Sequence, residues 1–122
     1  MMTLDFYFDY LSPYSYLAWK RLPELLDGRD VDLQPRPVLL AGLLDHWGQR
    51  GPAEIPAKRD WLIRDVLRFA ARDGIPVTFP DPHPFNPLHA LRVSQPSVCG
   101  DDQQRTIIDA VFTAVWGNGR NV

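Results

Sequence analysis

A chain of 122 residues, 45% of them hydrophobic, carries enough apolar surface for one packed core. Its formal charge of −2 gives no electrostatic case for nucleic acid or an acidic membrane surface, and its longest apolar run, VLLAGLL at residues 38–44, is far too short to cross a bilayer. Met1-Met2-Thr3 leads directly into the first strand pattern, without a charged, apolar and small-residue leader, which predicts a cytoplasmic protein.

In chain order, Leu4 to Asp9 alternates and is rich in aromatics, as in a buried strand. Residues 14–27 read as helix and Val31 to Val38 as a second strand, giving one βαβ unit with parallel strands. Pro23 lies inside the helical pattern and predicts a kink or a division. The prolines of QPRPV predict an edge position or an early exit from the sheet. From Leu39 onward the pattern is helical: LLAGLLDHW, a loop rich in Gly and Pro, then residues 57–73. In that helix Leu62, Val66, Phe69 and Ile63, Leu67, Ala70 form a broad apolar stripe, with Asp60 and Arg64 as an i,i+4 pair. Gly74 stops it. Ile75 to Phe79 is extended, and PDPHPFNP, with four prolines, is a loop. A short helix over 88–93, a turn carrying Cys99 and a last helix over 102–116, with Ile107, Ile108, Val111, Phe112 and Val115 facing a core, follow. The expected division is residues 1–38, holding the βαβ unit, and residues 39–122, a helical block.

The junction of first strand and first helix reads S-P-Y-S. Ser12 suits the N-cap and Pro13 the first helical position, where a missing N–H costs nothing. A hydroxyl and free backbone N–H groups at the positive end of a helix favour a bound thiolate. The chain supplies no thiol there, so a thiol has to arrive with a ligand. Ser12 is a poor nucleophile in its own right, because no positioned base or G-x-S-x-G elbow accompanies it. The plainer alternative is that Ser12 only caps the helix.

The run F-Y-F-D-Y-L-S-P-Y-S-Y-L-A resembles the opening of the 2-hydroxychromene-2-carboxylate isomerases and of the kappa-class glutathione transferases, in the DsbA-like branch of the thioredoxin superfamily. The likeness continues in order through Arg36-Pro37-Val38, Gly48-Gln49, Pro56-Ala57-Lys58, Asp65-Val66-Leu67-Arg68, Gly74-Ile75-Pro76 with Phe79-Pro80, and Val115-Trp116-Gly117-Asn118-Gly119. It implies an α/β fold: a thioredoxin-like N-terminal βαβ unit with a mainly helical insertion. It also implies a returning half with a cis-proline loop flanked by strands; the prolines of residues 81–122 lie in a loop without a strand pattern, so the chain is expected to be truncated and to bind glutathione weakly or not at all. Two strands alone make a marginal sheet, which calls for a further segment or for partner chains, as in a homodimer.

By the same resemblance glutathione is the cofactor, Ser12 hydrogen-bonds its sulfur, Pro13 and Tyr14 share that contact, and Gln49 stands where kappa enzymes have asparagine. Lys58 is implied to hold the carboxylate of a small aromatic substrate. The implied reaction is a glutathione-dependent cis-trans isomerisation of an aromatic keto acid. A kappa-type transfer leaving a stable conjugate is the enzymatic alternative, and a non-catalytic module is the other. Dithiol chemistry is excluded, since Ser12 and Ser15 occupy both positions where thioredoxin-like proteins keep cysteines. His46, His83 and His89 lack metal-ligand spacing and read as surface or hydrogen-bonded structural groups. Asp65 and Arg68 read as a helix ion pair, Cys99 as an incidental thiol, and Trp61 and Trp116 as core, the alternative being that they line an aromatic-substrate pocket.

Overall fold

The computed structural model describes all 122 residues. Strand β1 (Met2–Phe8) and strand β2 (Val31–Pro37) pair in parallel, from Met2 opposite Val31 to Phe8 opposite Pro37, and helix α1 (Pro13–Leu26) joins them. The first strand starts earlier than its aromatic pattern because Met2 N–H already donates to Asp30 O. It ends at Phe8 because the Asp9 carboxylate turns away to accept from the amides of Leu11 (2.9 Å) and Leu40 (2.8 Å). Helix α1 runs undivided through Pro23. That proline sits in the last turn, where its missing N–H removes one bond and the helix is about to end anyway.

Val38 N–H donates to Phe8 O, so by the two-residue period of a strand the ring nitrogens of Pro35 and Pro37 face away from β1. The carbonyls on that outer edge are closed by side chains. Arg105 Nη2 donates to Leu33 O (2.6 Å), and Gln104 Nε2 donates to both Pro35 O and Ser94 O (3.1 Å each).

The remaining elements are helical: α2 (Leu40–His46), a 3-10 turn (Pro52–Glu54), α3 (Pro56–Asp73), α4 (Leu88–Val93), α5 (Pro96–Cys99), α6 (Asp101–Phe112) and a π-helical turn (Thr113–Gly117). Gly74 ends α3 at φ +67°, in the left-handed region that glycine reaches without strain. Several expectations are corrected. Cys99 closes a short helix, because Pro96 starts one and the Cys99 amide bonds Gln95 O. The last helix changes pitch at Thr113 and thereby buries both Val115 and Trp116. On α3 only Leu62, Val66 and Ala70 are buried; Leu67 and Phe69 are exposed, with Arg72 over the Phe69 ring. Asp60 and Arg64 form no ion pair, whereas Asp65 and Arg68 do (3.4 Å). Trp61 is 60% exposed, so its placement in the core is wrong; Trp116 is fully buried.

One buried cluster unites the strand end, α1, α3, α4, α6 and the π turn. Its centre is aromatic: Phe8, Tyr10 and Tyr16 pack around Phe112 with ring centroids 4.8 to 6.1 Å apart. The polar tips of the buried aromatics are satisfied. Trp116 Nε1 donates to Tyr10 O (2.7 Å), Tyr16 O–H donates to Pro76 O (2.6 Å), and Tyr10 O–H is paired with Ser94 Oγ, which itself donates to Ala90 O. These bonds tie the extended segment and the π turn to the junction of β1 and α1.

Candidate functional site

Ser12 caps α1 through its side chain: Oγ accepts from Ser15 N–H at 3.1 Å, and Tyr16 N–H closes on Ser12 O. A hydroxyl has one proton and two lone pairs, and the cap uses only a lone pair, so the Ser12 proton remains free to donate. The Tyr14 amide precedes the first intrahelical acceptor and is not taken by the cap. Ser12 and Pro13 line a cavity of about 420 Å³ together with Leu40, Leu44, Asp45, Gln49, Arg50, Glu54, Leu62 and His83. Arg50 there makes no ion pair, whereas Glu54 accepts from Gly51 N–H at 3.0 Å.

The corner that presents Ser12 is fastened on both sides. Leu11 N–H bonds the Asp9 carboxylate and Ser12 N–H donates to Asp9 O (3.0 Å), while His83 Nε2 meets Leu11 O at 2.9 Å. Burial lifts the Asp9 carboxyl above its ordinary range, against the two backbone amides that favour its charged form. Burial also pulls the His83 imidazole below its ordinary range, against the bond to Leu11 O, which favours the charged ring; the neighbouring Arg59 guanidinium adds to the lowering. Arg59 Nη1 lies 3.1 Å from His83 Nδ1. Since a guanidinium can only donate, Nδ1 is the acceptor and Nε2 carries the proton given to Leu11 O.

Tyr14 and Lys58 face a second cavity of about 360 Å³, with Ala57 and the exposed Trp61; Pro52 and Leu62 line both cavities. Tyr14 O–H donates to Asp65 Oδ2 at 2.6 Å. Burial, with the Asp65 carboxylate beside it, pushes the Tyr14 phenol up to about 12. Of the five residues singled out from the sequence, Ser12, Pro13 and Gln49 therefore share one cavity, and Tyr14 and Lys58 the adjoining one. Sequence reasoning gave no place in the site to Arg50, Glu54, Arg59 or His83. A charged residue in a loop rich in Gly and Pro carries no signal that separates it from a solvated one, and no spacing rule brings His83 to Leu11.

The DSBA-like thioredoxin domain family model matches residues 3–122. The chain is similar to the 2-hydroxychromene-2-carboxylate isomerase of Sphingobium xenophagum, 31% identical over 119 residues, covering 96% of this chain and 60% of that protein. It is 33% identical over 120 residues to the 2-hydroxychromene-2-carboxylate isomerase of Pseudomonas putida, covering 97% and 58%. Glutathione S-transferase kappa 1 of Caenorhabditis elegans is 36% identical over 78 residues, which is 63% of this chain and 34% of that one. Among solved structures, a selenomethionine 2-hydroxychromene-2-carboxylate isomerase (HCCA isomerase) superposes with a TM-score of 0.80 at 32% identity, over 97% of this chain and 58% of that one. The chain thus spans about 60% of the length of the first of these relatives.

Proposed function

The chain belongs to the DSBA-like thioredoxin domain family, and from that premise we propose that it is a glutathione-dependent cis-trans isomerase domain of the cytoplasm, of the 2-hydroxychromene-2-carboxylate isomerase type. The observation that carries the reading is the Ser12 hydroxyl: it caps α1 with a lone pair and keeps its proton for a ligand in the 420 Å³ cavity. The residues fit glutathione. A free hydroxyl proton and the unused Tyr14 amide suit a sulfur anion, Gln49 offers an amide, and the unpaired Arg50 suits a carboxylate.

Bound glutathione supplies a thiolate that adds reversibly to a conjugated double bond and leaves again after rotation. The chain's own part is electrostatic and positional. Ser12 donates to the sulfur and holds it ionised, and the positive end of α1 adds to that effect. Pro13 keeps the helix start rigid without presenting an N–H of its own. In the adjoining cavity Lys58 offers its ammonium to a substrate carboxylate, with the Trp61 ring three residues along the same helix. Walls shared through Pro52 and Leu62 keep the two ligands adjacent.

The test is to follow 2-hydroxychromene-2-carboxylate spectroscopically with and without glutathione. Isomerisation that requires glutathione and leaves the free thiol titre unchanged is the expected result. A falling thiol titre supports the kappa-like transferase reading, which the 36% identity to the nematode kappa enzyme favours. No dependence on glutathione contradicts both.

A further inference from the structure

His83 lies outside the residues that hold the ligands in this reading, yet it grips the peptide unit that delivers Ser12. The Leu11–Ser12 peptide is planar, so fixing both of its polar groups fixes its tilt. On one side Ser12 N–H donates to Asp9 O; on the other Leu11 O accepts from His83 Nε2. The imidazole is itself held by Arg59 at Nδ1 and enclosed by the rings of Phe79, Phe85 and Trp116, with centroids 5.2 to 6.3 Å away. Both ring nitrogens are therefore engaged, and His83 has no free position from which to serve as a general base.

We propose that His83 is the positioning residue of the Ser12 corner: its neutral imidazole, set by Arg59, orients the Leu11–Ser12 peptide and so aims the Ser12 hydroxyl into the cavity. Protonation places an N–H on Nδ1 against the Arg59 guanidinium. Two cations 3.1 Å apart with no acceptor between them separate; the Leu11 carbonyl favours the charged ring and opposes this, but the ring loses the position that Arg59 sets and with it the angle at which it holds Leu11. The corner is thus competent above the titration of His83 and disordered in aim below it. Arg59 is the one charged group that contacts the imidazole; Asp45 of α2 and Arg50 and Glu54 of the segment before α3 line the same cavity, Asp81 stands two residues earlier on the same loop, and Asp9 binds the Leu11 amide on the other side of the turn. Asp9 remains when His83 is replaced, which separates the two titrations. The link to ligand binding rests on the glutathione reading above, whereas the orientation of the corner does not.

The experiment is a nitrogen-15 NMR titration of the free protein from about pH 8 to about pH 4.5, following the His83 ring and the amides of Ser12, Tyr14 and Ser15. Expected are a protonated Nε2 at high pH, a midpoint below the ordinary 6.5, and movement of the three amides with that same midpoint. His83→Gln, which can still donate to Leu11 O, keeps the amides near their high-pH positions and abolishes that titration. His83→Leu displaces them at every pH. Glutathione affinity, measured by calorimetry, falls about tenfold as pH drops through the midpoint in the wild type, and His83→Gln removes that step. Amides that stay flat while His83 titrates overturn the proposal, and so does a titration that persists in His83→Gln. If His83→Leu does not fold, the wild type and His83→Gln decide the matter. A wild type that binds no glutathione at any pH sinks the glutathione reading, and the amide titration still judges His83.

Discussion

Ser12 and Tyr14 stand two residues apart in one helical turn, and their side chains are turned to different tasks. Ser12 faces the larger cavity with a proton to give. The Tyr14 hydroxyl is already committed to Asp65, 51 positions away on α3, and ties the start of α1 to that helix. Tyr14 itself lines the smaller cavity, and its backbone amide, which the cap leaves free, is removed by no substitution of the ring. Tyr14→Phe is therefore expected to lower stability by about 0.5 to 1.5 kcal/mol through the lost hydrogen bond, and to leave glutathione affinity within about twofold of wild type. Denaturant unfolding and calorimetric titration of the variant check the two halves separately. A large loss of affinity with unchanged stability contradicts this division of labour.

Helix α6 was legible from its apolar spacing, but its most consequential polar residue was not. Ile108 and Phe112 fall on a helical stripe and are buried as that stripe predicts. Gln104, one turn earlier, is also buried, because its amide closes the outer edge of β2 at Pro35 O and the end of α4 at Ser94 O. Gln104→Leu leaves both carbonyls without that donor and is expected to destabilise the fold by about 2 kcal/mol, measured as a shift in the denaturation midpoint at constant slope. An unchanged midpoint contradicts the role. The same contrast explains where sequence reasoning worked. Caps, glycine stops and proline-bounded elements are local, so Ser12, Gly74 and the limits of α4 could be read directly. Long-range partners are not local. Nothing near Trp61 shows that its ring faces outward beside Lys58, nor does anything near His83 reveal Leu11. The π turn that buries both Val115 and Trp116 is likewise a tertiary choice, made by the core around Phe112 and Tyr10.

At the level of the whole molecule, the sheet has two strands, and only the outer edge of β2 is closed by side chains of α6. Met2 N–H and Phe8 O both face β2, so by alternation the amides of Thr3, Asp5 and Tyr7 point to the other side. Tyr7 is 61% exposed. Hydrogen exchange is expected to find Leu4 and Phe6 protected and Thr3, Asp5 and Tyr7 fast. Protection of those three amides instead reports a strand docked on β1, as a second copy of the chain would provide. The parallel pair, the α1 crossover and the helical remainder match what the chain pattern and the resemblance implied, and no helix is long and apolar enough to cross a membrane. What these elements share is the corner at Ser12, on which the glutathione reading depends. The most direct measurement of that reading is thiolate absorbance of bound glutathione against pH, for the wild type and for Ser12→Ala. Donation from Ser12 to the sulfur is worth roughly 1.5 to 3 kcal/mol, so the bound thiol is expected to titrate well below its free value in the wild type and about 1 to 2 pH higher in Ser12→Ala. Identical titration curves for the two proteins contradict the account and leave Ser12 as a helix cap alone.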